Sequence, residues 1–263
     1  MDVESLAFRT DIALLEQTGS VAEDRGTHLV VRTPLEPSFY WGNFLLLPAP
    51  PAPGQVDHWV REARREFPGA EHVSIGMDRC EDGATLQPLR EAGFRVDTVA
   101  AMTTGAVDAG PPLADGTEVR TLVTDADWDQ EVDLNLASEP DDPHLTREFL
   151  QGRAAANRAL VAAGLGHWWG AFVADQLVSS LGIFRAGEGL ARYQNVKTHP
   201  GFRRRGLAGA LVRAAARDAL EGLGADTLVM AANPEDEAIR IYRAVGFTEG
   251  GLHAEATLLP ARD

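Results

Sequence analysis

Residues 196–208 read VKTHPGFRRRGLA and lead directly into an alanine-rich segment, residues 209–220. The pattern predicts a strand, a basic turn and the start of a helix. The first amides of a helix have no acceptor within the helix and lie at the positive end of its dipole, so a glycine in the turn leaves them open to an anion. We therefore expect this turn to bind a diphosphate.

Composition narrows the class of protein. The chain has 263 residues, of which 44% are hydrophobic, enough for two modest domains or one large one. Its net charge of -15 argues against a nucleic-acid partner. Cys80 is the single cysteine, which excludes an intrachain disulfide and a multi-thiolate metal site. With a polar N-terminus and no long apolar run, the sequence predicts a cytoplasmic protein without a metal or membrane contact.

An internal repeat divides the chain. Leu89-x-x-x-Gly93-Phe94 matches Tyr242-x-x-x-Gly246-Phe247, and Phe94 and Phe247 are 153 positions apart. The same offset superimposes two strand-like segments and one helix-like segment without gaps. A Gly/Pro/Ala-rich stretch separates the halves and is typical of a linker. We therefore predict a first domain over residues 1–104, a linker over 105–116 and a second domain over 117–263.

The two halves differ at the turn. Under the same offset, residues 48–53, which read PAPPAP, fall on the basic turn of the second half, and Leu89 falls on Tyr242. Proline has no backbone N–H and cannot present a row of donors to a diphosphate. The first half is predicted to be a degenerate, N-terminally truncated copy without cofactor. It could serve as a scaffold, as the contact of a homodimer, or as one wall of the site that binds the second substrate, the acceptor.

The turn Arg203-x-x-Gly206-x-Ala208 resembles the R/Q-x-x-G-x-G/A pyrophosphate loop of the GCN5-related N-acetyltransferase (GNAT) superfamily. The resemblance covers residues 117–260 and, more weakly, 27–103. It implies an α+β fold of layered α/β type with two GNAT-like domains, each a twisted mixed β-sheet flanked by helices. It also implies acetyl-CoA (coenzyme A) as the cofactor and direct acyl transfer to an amine of a small molecule or peptide.

The resemblance assigns site residues as well. The strand before the turn would bind the pantetheine arm through its backbone, and the Val196 N–H would polarise the thioester carbonyl. Tyr242 would protonate the departing thiolate, although a tyrosine at this position is also typical of a helix core. The coenzyme contacts implied for this chain are those of Val196, Thr198, Arg203, Arg204, Arg205, Gly206, Leu207, Ala208 and Asn233.

The general base is the gap in the pattern. Many GNAT enzymes carry a Glu two residues before the position of Val196, where this chain has Gln194, whose amide cannot accept a proton at neutral pH. An ammonium group must lose a proton before it attacks a thioester. Residues 138–144 form a predicted acidic loop, which could bind a cationic acceptor through Glu139, Asp141 and Asp142. A chain of water molecules could remove the proton. Otherwise the candidate bases are those three residues together with His144, His167, His253 and Glu255.

Two alternatives to a general N-acetyltransferase remain open at this point. One is a thiol-biosynthesis acetyltransferase similar to mycothiol synthase, which also joins two GNAT-like halves. The other is a non-catalytic coenzyme A sensor or scaffold, in which Gln194 marks lost chemistry. The presence of Tyr242 together with an intact turn favours the enzyme.

Overall fold

The structure, a computed structural model, describes residues 1–37, 39–81, 83–140, 142 and 145–259. The chain packs into two compact units. Unit 1 comprises Met1–Met102, Ala231–Asp236 and Glu249–Asp263, and unit 2 comprises Thr103–Met230 and Glu237–Thr248. None of the helices in the described ranges is long and apolar enough to cross a membrane.

Unit 1 is built on a sheet with the strand order β1-β2-β3-β4-β11-β5. β3 and β4 are parallel and joined by a helical crossover, whereas the other pairs described, β1 with β2, β2 with β3 and β4 with β11, are antiparallel. Every residue of β3 and β4 is buried, as expected for central parallel strands covered on both faces. Its elements are α1 (Leu6–Gln17), β1 (Val21–Asp24), β2 (Leu29–Arg32), β3 (Phe44–Leu47), α2 (Val56–Glu66), β4 (Val73–Met77), α3 (Gln87–Glu91), β5 (Arg95–Thr104) and β11 (Thr248–Leu258).

Unit 2 contains a second sheet segment with the order β10-β9-β8-β7-β6. α4 packs on one face through Trp128, whose ring lies 5.8 Å from that of Trp168. α6 covers the opposite face, where the Tyr193 hydroxyl donates to the Val212 carbonyl at 2.8 Å. Its elements are β6 (Thr117–Thr121), α4 (Asp125–Ser138), α5 (Arg147–Ala162), β7 (Gly166–Val173), β8 (Gln176–Arg185), β9 (Leu190–Thr198), α6 (Leu207–Gly222), β10 (Thr227–Ala232) and α7 (Ala238–Val245).

The predicted architecture of mixed sheets flanked by helices is confirmed. β7 and β8 form a hairpin, with Ala174 and Asp175 both at positive φ, the conformation of a tight hairpin turn. α7 does not follow β10 directly. Asn233 forms a turn first, its side-chain oxygen accepting from the Glu235 amide at 2.9 Å.

Strand order and pairing recur along the chain. The series β1, β2, β3, α2, β4, α3, β5 has the same element types as β7, β8, β9, α6, β10, α7, β11. In both series the first three strands are successively antiparallel, and the third and fourth are parallel. One helix precedes the first series, whereas β6, α4 and α5 precede the second.

The compact units do not follow the predicted domain boundaries. β11 lies within residues 117–263, yet it pairs antiparallel with β4, from Ala254 opposite Met77 to Leu258 opposite Val73. Ala254 and Ala256 are fully buried in the unit 1 core. Packing therefore places the last strand in the first unit, which neither the linker composition nor the repeat indicated.

The predicted linker is partly fixed to unit 2. Residues 106–114 form neither helix nor strand. Within them Asp108 accepts from Arg213 Nε of α6 at 2.5 Å, and Arg213 is only 8% exposed. This ion pair holds the carboxyl pKa of Asp108 below its ordinary value, chiefly through that hydrogen bond.

Candidate active site

β9 and β10 diverge and leave one edge of β9 open. Within the described residues, the two strands pair only from Leu190 opposite Thr227 to Arg192 opposite Val229. Residues 193–198 continue as strand beyond the last of these pairs. Six residues of strand span roughly 20 Å, so an extended ligand could bind along this edge as an added strand does.

A β-bulge interrupts the other edge of β9. Gln194 lies opposite Gly182, but Lys197 lies opposite Ser180, so β9 has one residue more than β8 between these pairs. The additional residue is accommodated by Asn195, whose φ is 50°. A bulge locally removes residues from the ladder, and Val196 lies in that interval. Beyond it, the Ser179 hydroxyl donates to the Lys197 carbonyl at 2.7 Å and fixes the end of the strand.

The basic turn between β9 and α6 presents backbone amides to solvent. Arg204 and Gly206 adopt positive φ, at 62° and 77°. Gly206 is the N-cap of α6 and provides no side-chain capping bond. The first bond of the helix runs from the Ala210 amide to the Gly206 carbonyl at 3.0 Å, so the amides of residues 207–209 have no intrahelical acceptor. A Cβ built on Gly206 would meet nothing within 4 Å, which leaves the approach open.

Two arginines of the turn bind the protein itself. Arg203 Nε donates to the Thr198 carbonyl at 3.2 Å, and its Nη2 donates to the Ser138 carbonyl at the end of α4 at 3.3 Å. Arg205 Nη2 donates to the Gly201 carbonyl at 3.1 Å. The side chains of Arg203 and Arg205 therefore hold the turn in shape.

Tyr242 lies in the same unit as the turn, on α7, which packs on α6. It is 6% exposed. Its ring lies 6.5 Å from that of Phe247, which in turn lies 5.7 Å from the ring of Tyr193 on β9. Phe247 thus connects Tyr242 to the strand with the open edge.

Asn233 follows β10 and belongs to unit 1. Its side-chain oxygen is used in the turn before α7, and its carbonyl accepts from the Asp236 amide at 3.1 Å. The structure thus gives Asn233 the role of a turn residue. Its predicted contact with the coenzyme stays a prediction.

The acidic loop is less anionic than its sequence indicates. Glu139 ends α4 and forms an ion pair with Lys197 of β9. Asp142 is exposed, and its amide donates to the Glu139 carbonyl at 3.2 Å. Asp141 and His144 lie outside the described residues. Because Lys197 offsets the charge of Glu139, the attraction of this loop for a cationic acceptor is weaker than predicted.

The remaining candidate bases, His167, His253 and Glu255, have polar neighbours elsewhere. His167 Nδ1 lies 2.6 Å from the carboxylate of Asp218 on α6. His253 and Glu255 lie on β11 in unit 1, where His253 is fully buried. Its Nε2 is 3.6 Å from the Glu255 carboxylate, and its Nδ1 is 3.4 Å from the Ser5 hydroxyl.

Glu131 is the carboxylate that the sequence reasoning missed. It lies on α4, is 4% exposed, and accepts from Asn135 Nδ2 at 2.5 Å. Burial raises its pKa to about 7, against smaller opposing effects of the Asn135 hydrogen bond and the positive charge of Lys197. A glutamate four residues before an asparagine within a helix is an ordinary pattern. Only the packing of α4 against the sheet gives it significance.

Comparison with known proteins finds a family model that matches part of the chain. Residues 164–249 match the model of the acetyltransferase (GNAT) domain. The match includes β9, the basic turn, α6 and α7. No curated protein sequence matches the chain.

Solved structures show the same fold over nearly the whole chain. A conserved protein of unknown function from Staphylococcus epidermidis has a TM-score of 0.70 at 14% identity, covering 92% of this chain and 94% of its own. A GCN5-related N-acetyltransferase from Sphaerobacter thermophilus has 0.62 at 18% identity, covering 92% and 84%. A tandem GNAT protein from the clavulanic acid biosynthesis pathway has 0.55 at 14% identity, covering 100% and 97%.

The pKa of Glu131 predicts a pH-dependent stability. A pKa that is higher in the folded state, about 7 against an ordinary 4.5, means that protonation of Glu131 favours folding. That contribution is complete below pH of about 4.5 and is lost as the pH rises through about 7. As the pH rises from 5 to 8, the free energy of unfolding of Glu131→Gln should therefore increase relative to that of wild type, by up to about 3 kcal/mol.

Denaturant unfolding at both pH values measures this change. Asp133→Asn is the matched control, since Asp133 lies on the same helix, is exposed and pairs with Arg147. Its difference from wild type should stay small at pH 5 and at pH 8. A Glu131→Gln difference that does not change with pH contradicts a neutral, buried carboxyl.

Proposed function

We propose that the protein transfers an acetyl or other acyl group from acetyl-CoA to an amine of a small molecule or peptide, by direct attack. The observation that carries this proposal is the open edge of β9, residues 193–198, leading directly into the uncapped turn of α6. One region of backbone thus offers a linear edge followed by converging amides. That arrangement suits a long thiol arm ending in a diphosphate.

The residues present fit coenzyme A. The amides of residues 204–208 would bind the diphosphate, with Gly206 allowing close approach and the helix dipole adding about 0.3 to 1 kcal/mol. The exposed Arg204 can add charge, while Arg203 and Arg205 keep the turn in shape. Val196 and Thr198 would bind the pantetheine arm through their backbone.

The reaction needs few groups from the protein. The neutral amine nitrogen attacks the thioester carbon, a C–N bond forms, the C–S bond breaks, and the nitrogen loses a proton to water. The Val196 N–H, removed from the ladder by the bulge, would stabilise the negative charge that develops on the carbonyl oxygen. Tyr242 would give its proton to the departing thiolate. Acyl transfer requires no metal and no covalent enzyme intermediate in this scheme.

The first half is proposed to be a degenerate copy of the second. The recurring series of elements supports a duplication. The predicted domains are then residues 1–104 and 117–263 by descent, although β11 packs in unit 1. Without amide donors at residues 48–53, the copy would provide scaffolding, a homodimer contact or a wall of the acceptor site.

The turn can be tested by calorimetry with coenzyme A. Gly206→Glu should reduce affinity at least 100-fold. Its carboxylate would repel the diphosphate, and a residue with a Cβ is strained at the positive φ of this position. Gly224→Glu is the matched control. Gly224 also has positive φ, at 67°, and open space at its Cβ, but it follows the other end of α6. Wild-type protein that does not bind coenzyme A would overturn the proposed function.

Tyr242→Phe tests the proposed acid. Thiol release from acetyl-CoA with a panel of polyamines, amino acids and peptides should fall at least 10-fold, because the thiolate leaves without a proton donor. Affinity for coenzyme A should stay within a few fold. Tyr40→Phe, which removes a phenol in unit 1, should leave both quantities unchanged. Unchanged turnover in Tyr242→Phe rules out the acid role.

A further inference from the structure

A group of polar side chains lies between α4 and the sheet of unit 2. Glu131 and Asn135 are buried on α4, which packs against β8 and β9. Ser180 of β8 is fully buried, and within the described part of the chain its hydroxyl has no hydrogen-bond partner. The positive charge of Lys197 on β9 acts to lower the pKa of Glu131, against the larger effect of burial. Buried polar groups are costly unless they are hydrogen-bonded, so the unpartnered hydroxyl of Ser180 calls for an explanation.

The bulge determines which β9 side chains face this group. Before it, Tyr193 faces α6, as its bond to Val212 shows, so Gln194 faces α4. Strict alternation would turn Lys197 toward α6, but the additional residue at Asn195 restores it to the α4 face. The ion pair of Lys197 with Glu139 at the end of α4 agrees with this orientation. Gln194, Lys197 and Glu131 therefore share one face.

The ion pairs described between α4 and α5 are formed by exposed side chains. From α5, Arg158 pairs with Asp125 and Arg147 pairs with Asp133, all on exposed parts of the helices. β8 has no ionisable side chain between Gln176 and Phe184. β9 contributes Arg192, on the same face as Gln194, and Lys197. Of these, Lys197 is the group that acts on the Glu131 carboxyl, and it favours the ionised form.

The end of α4 is also tied to the cofactor turn. Arg203 donates to the Ser138 carbonyl of α4 and to the Thr198 carbonyl of β9. Glu131 and Asn135 lie two turns and one turn before Ser138 on the same helix. α4, the end of β9 and the turn are thus held together, which keeps Glu131 in a fixed relation to the strand that would carry the thioester.

We propose that Glu131 accepts the proton of the attacking amine, replacing the carboxylate that Gln194 cannot supply. This inference rests on the proposed function. The acceptor enters as an ammonium ion, loses one proton to the ionised Glu131, and its lone pair attacks the thioester carbon. The C–S bond breaks, and the thiolate takes a proton from Tyr242. The nitrogen releases its second proton to solvent, Glu131 gives up the proton it accepted, and the Tyr242 phenolate takes one from solvent.

The chemistry suits the residue. A base works best when its pKa is close to the working pH, and burial places that of Glu131 at about 7. Lys197 moderates the effect of burial, so that the carboxyl is ionised in part near neutrality. Asn135 holds one carboxylate oxygen and leaves the other for the proton.

The test compares Glu131→Gln with Asp133→Asn over pH 5.5 to 9.5, using thiol release from acetyl-CoA with the amine panel. In wild type, kcat should rise with an apparent pKa near 7. In Glu131→Gln, kcat should fall at least 100-fold at pH 7 and should no longer rise with an apparent pKa near 7. Its affinity for coenzyme A should stay within a few fold of wild type. Glu131→Asp should restore part of the rate, and Asp133→Asn should match wild type.

A second readout does not depend on turnover. In carboxyl-labelled protein, the NMR resonance that is absent from Glu131→Gln should titrate near pH 7. Titration near 4.5, or a Glu131→Gln profile like that of wild type, overturns the proposal for Glu131 alone. If wild type binds coenzyme A but releases no thiol with any amine, the proposed enzyme function is overturned and the role of Glu131 with it.

Discussion

The divergence of β9 from β10 is the constraint on which the site depends. The strands pair over three residues and then separate, so the remaining residues of β9 offer their backbone to a ligand instead of a neighbouring strand. The bulge at Asn195 releases Val196 from the ladder and turns Lys197 toward α4. The same strand end leads into the uncapped N-terminus of α6. The open edge, the proposed oxyanion donor Val196 and the proposed anion site thus follow one another over residues 193–208.

The recurring series of elements allows the proposed binding turn, residues 203–208, to be compared with its counterpart, residues 48–53. β3, α2 and β4 repeat the parallel crossover of β9, α6 and β10. The connections differ in chemistry, since residues 48–53 include four prolines and the turn of unit 2 includes three arginines and Gly206. Proline removes the donors that the anion would need, whereas Gly206 brings them within reach. The parallel crossover alone therefore does not make an anion site.

Local patterns predicted β9, the basic turn and the start of α6 after Gly206, because turn residues and hydrophobic periodicity are local properties. Three features depended on contacts between distant residues. Asn195 gives no sign of a bulge, β11 pairs with β4 across more than 170 positions, and Glu131 becomes unusual only when α4 covers it. Asn233 illustrates the opposite case, in which the ordinary role of a turn residue is the one that the structure shows.

Hydrogen exchange of the backbone amides with and without coenzyme A tests the central claim most directly. The account predicts that coenzyme A slows exchange along the open edge of β9 and at residues 204–209, and leaves residues 54–58 at the start of α2 unaffected. Exchange that is unchanged at the turn of α6, or slowed equally at the start of α2, would contradict the claim that this edge and turn bind the coenzyme.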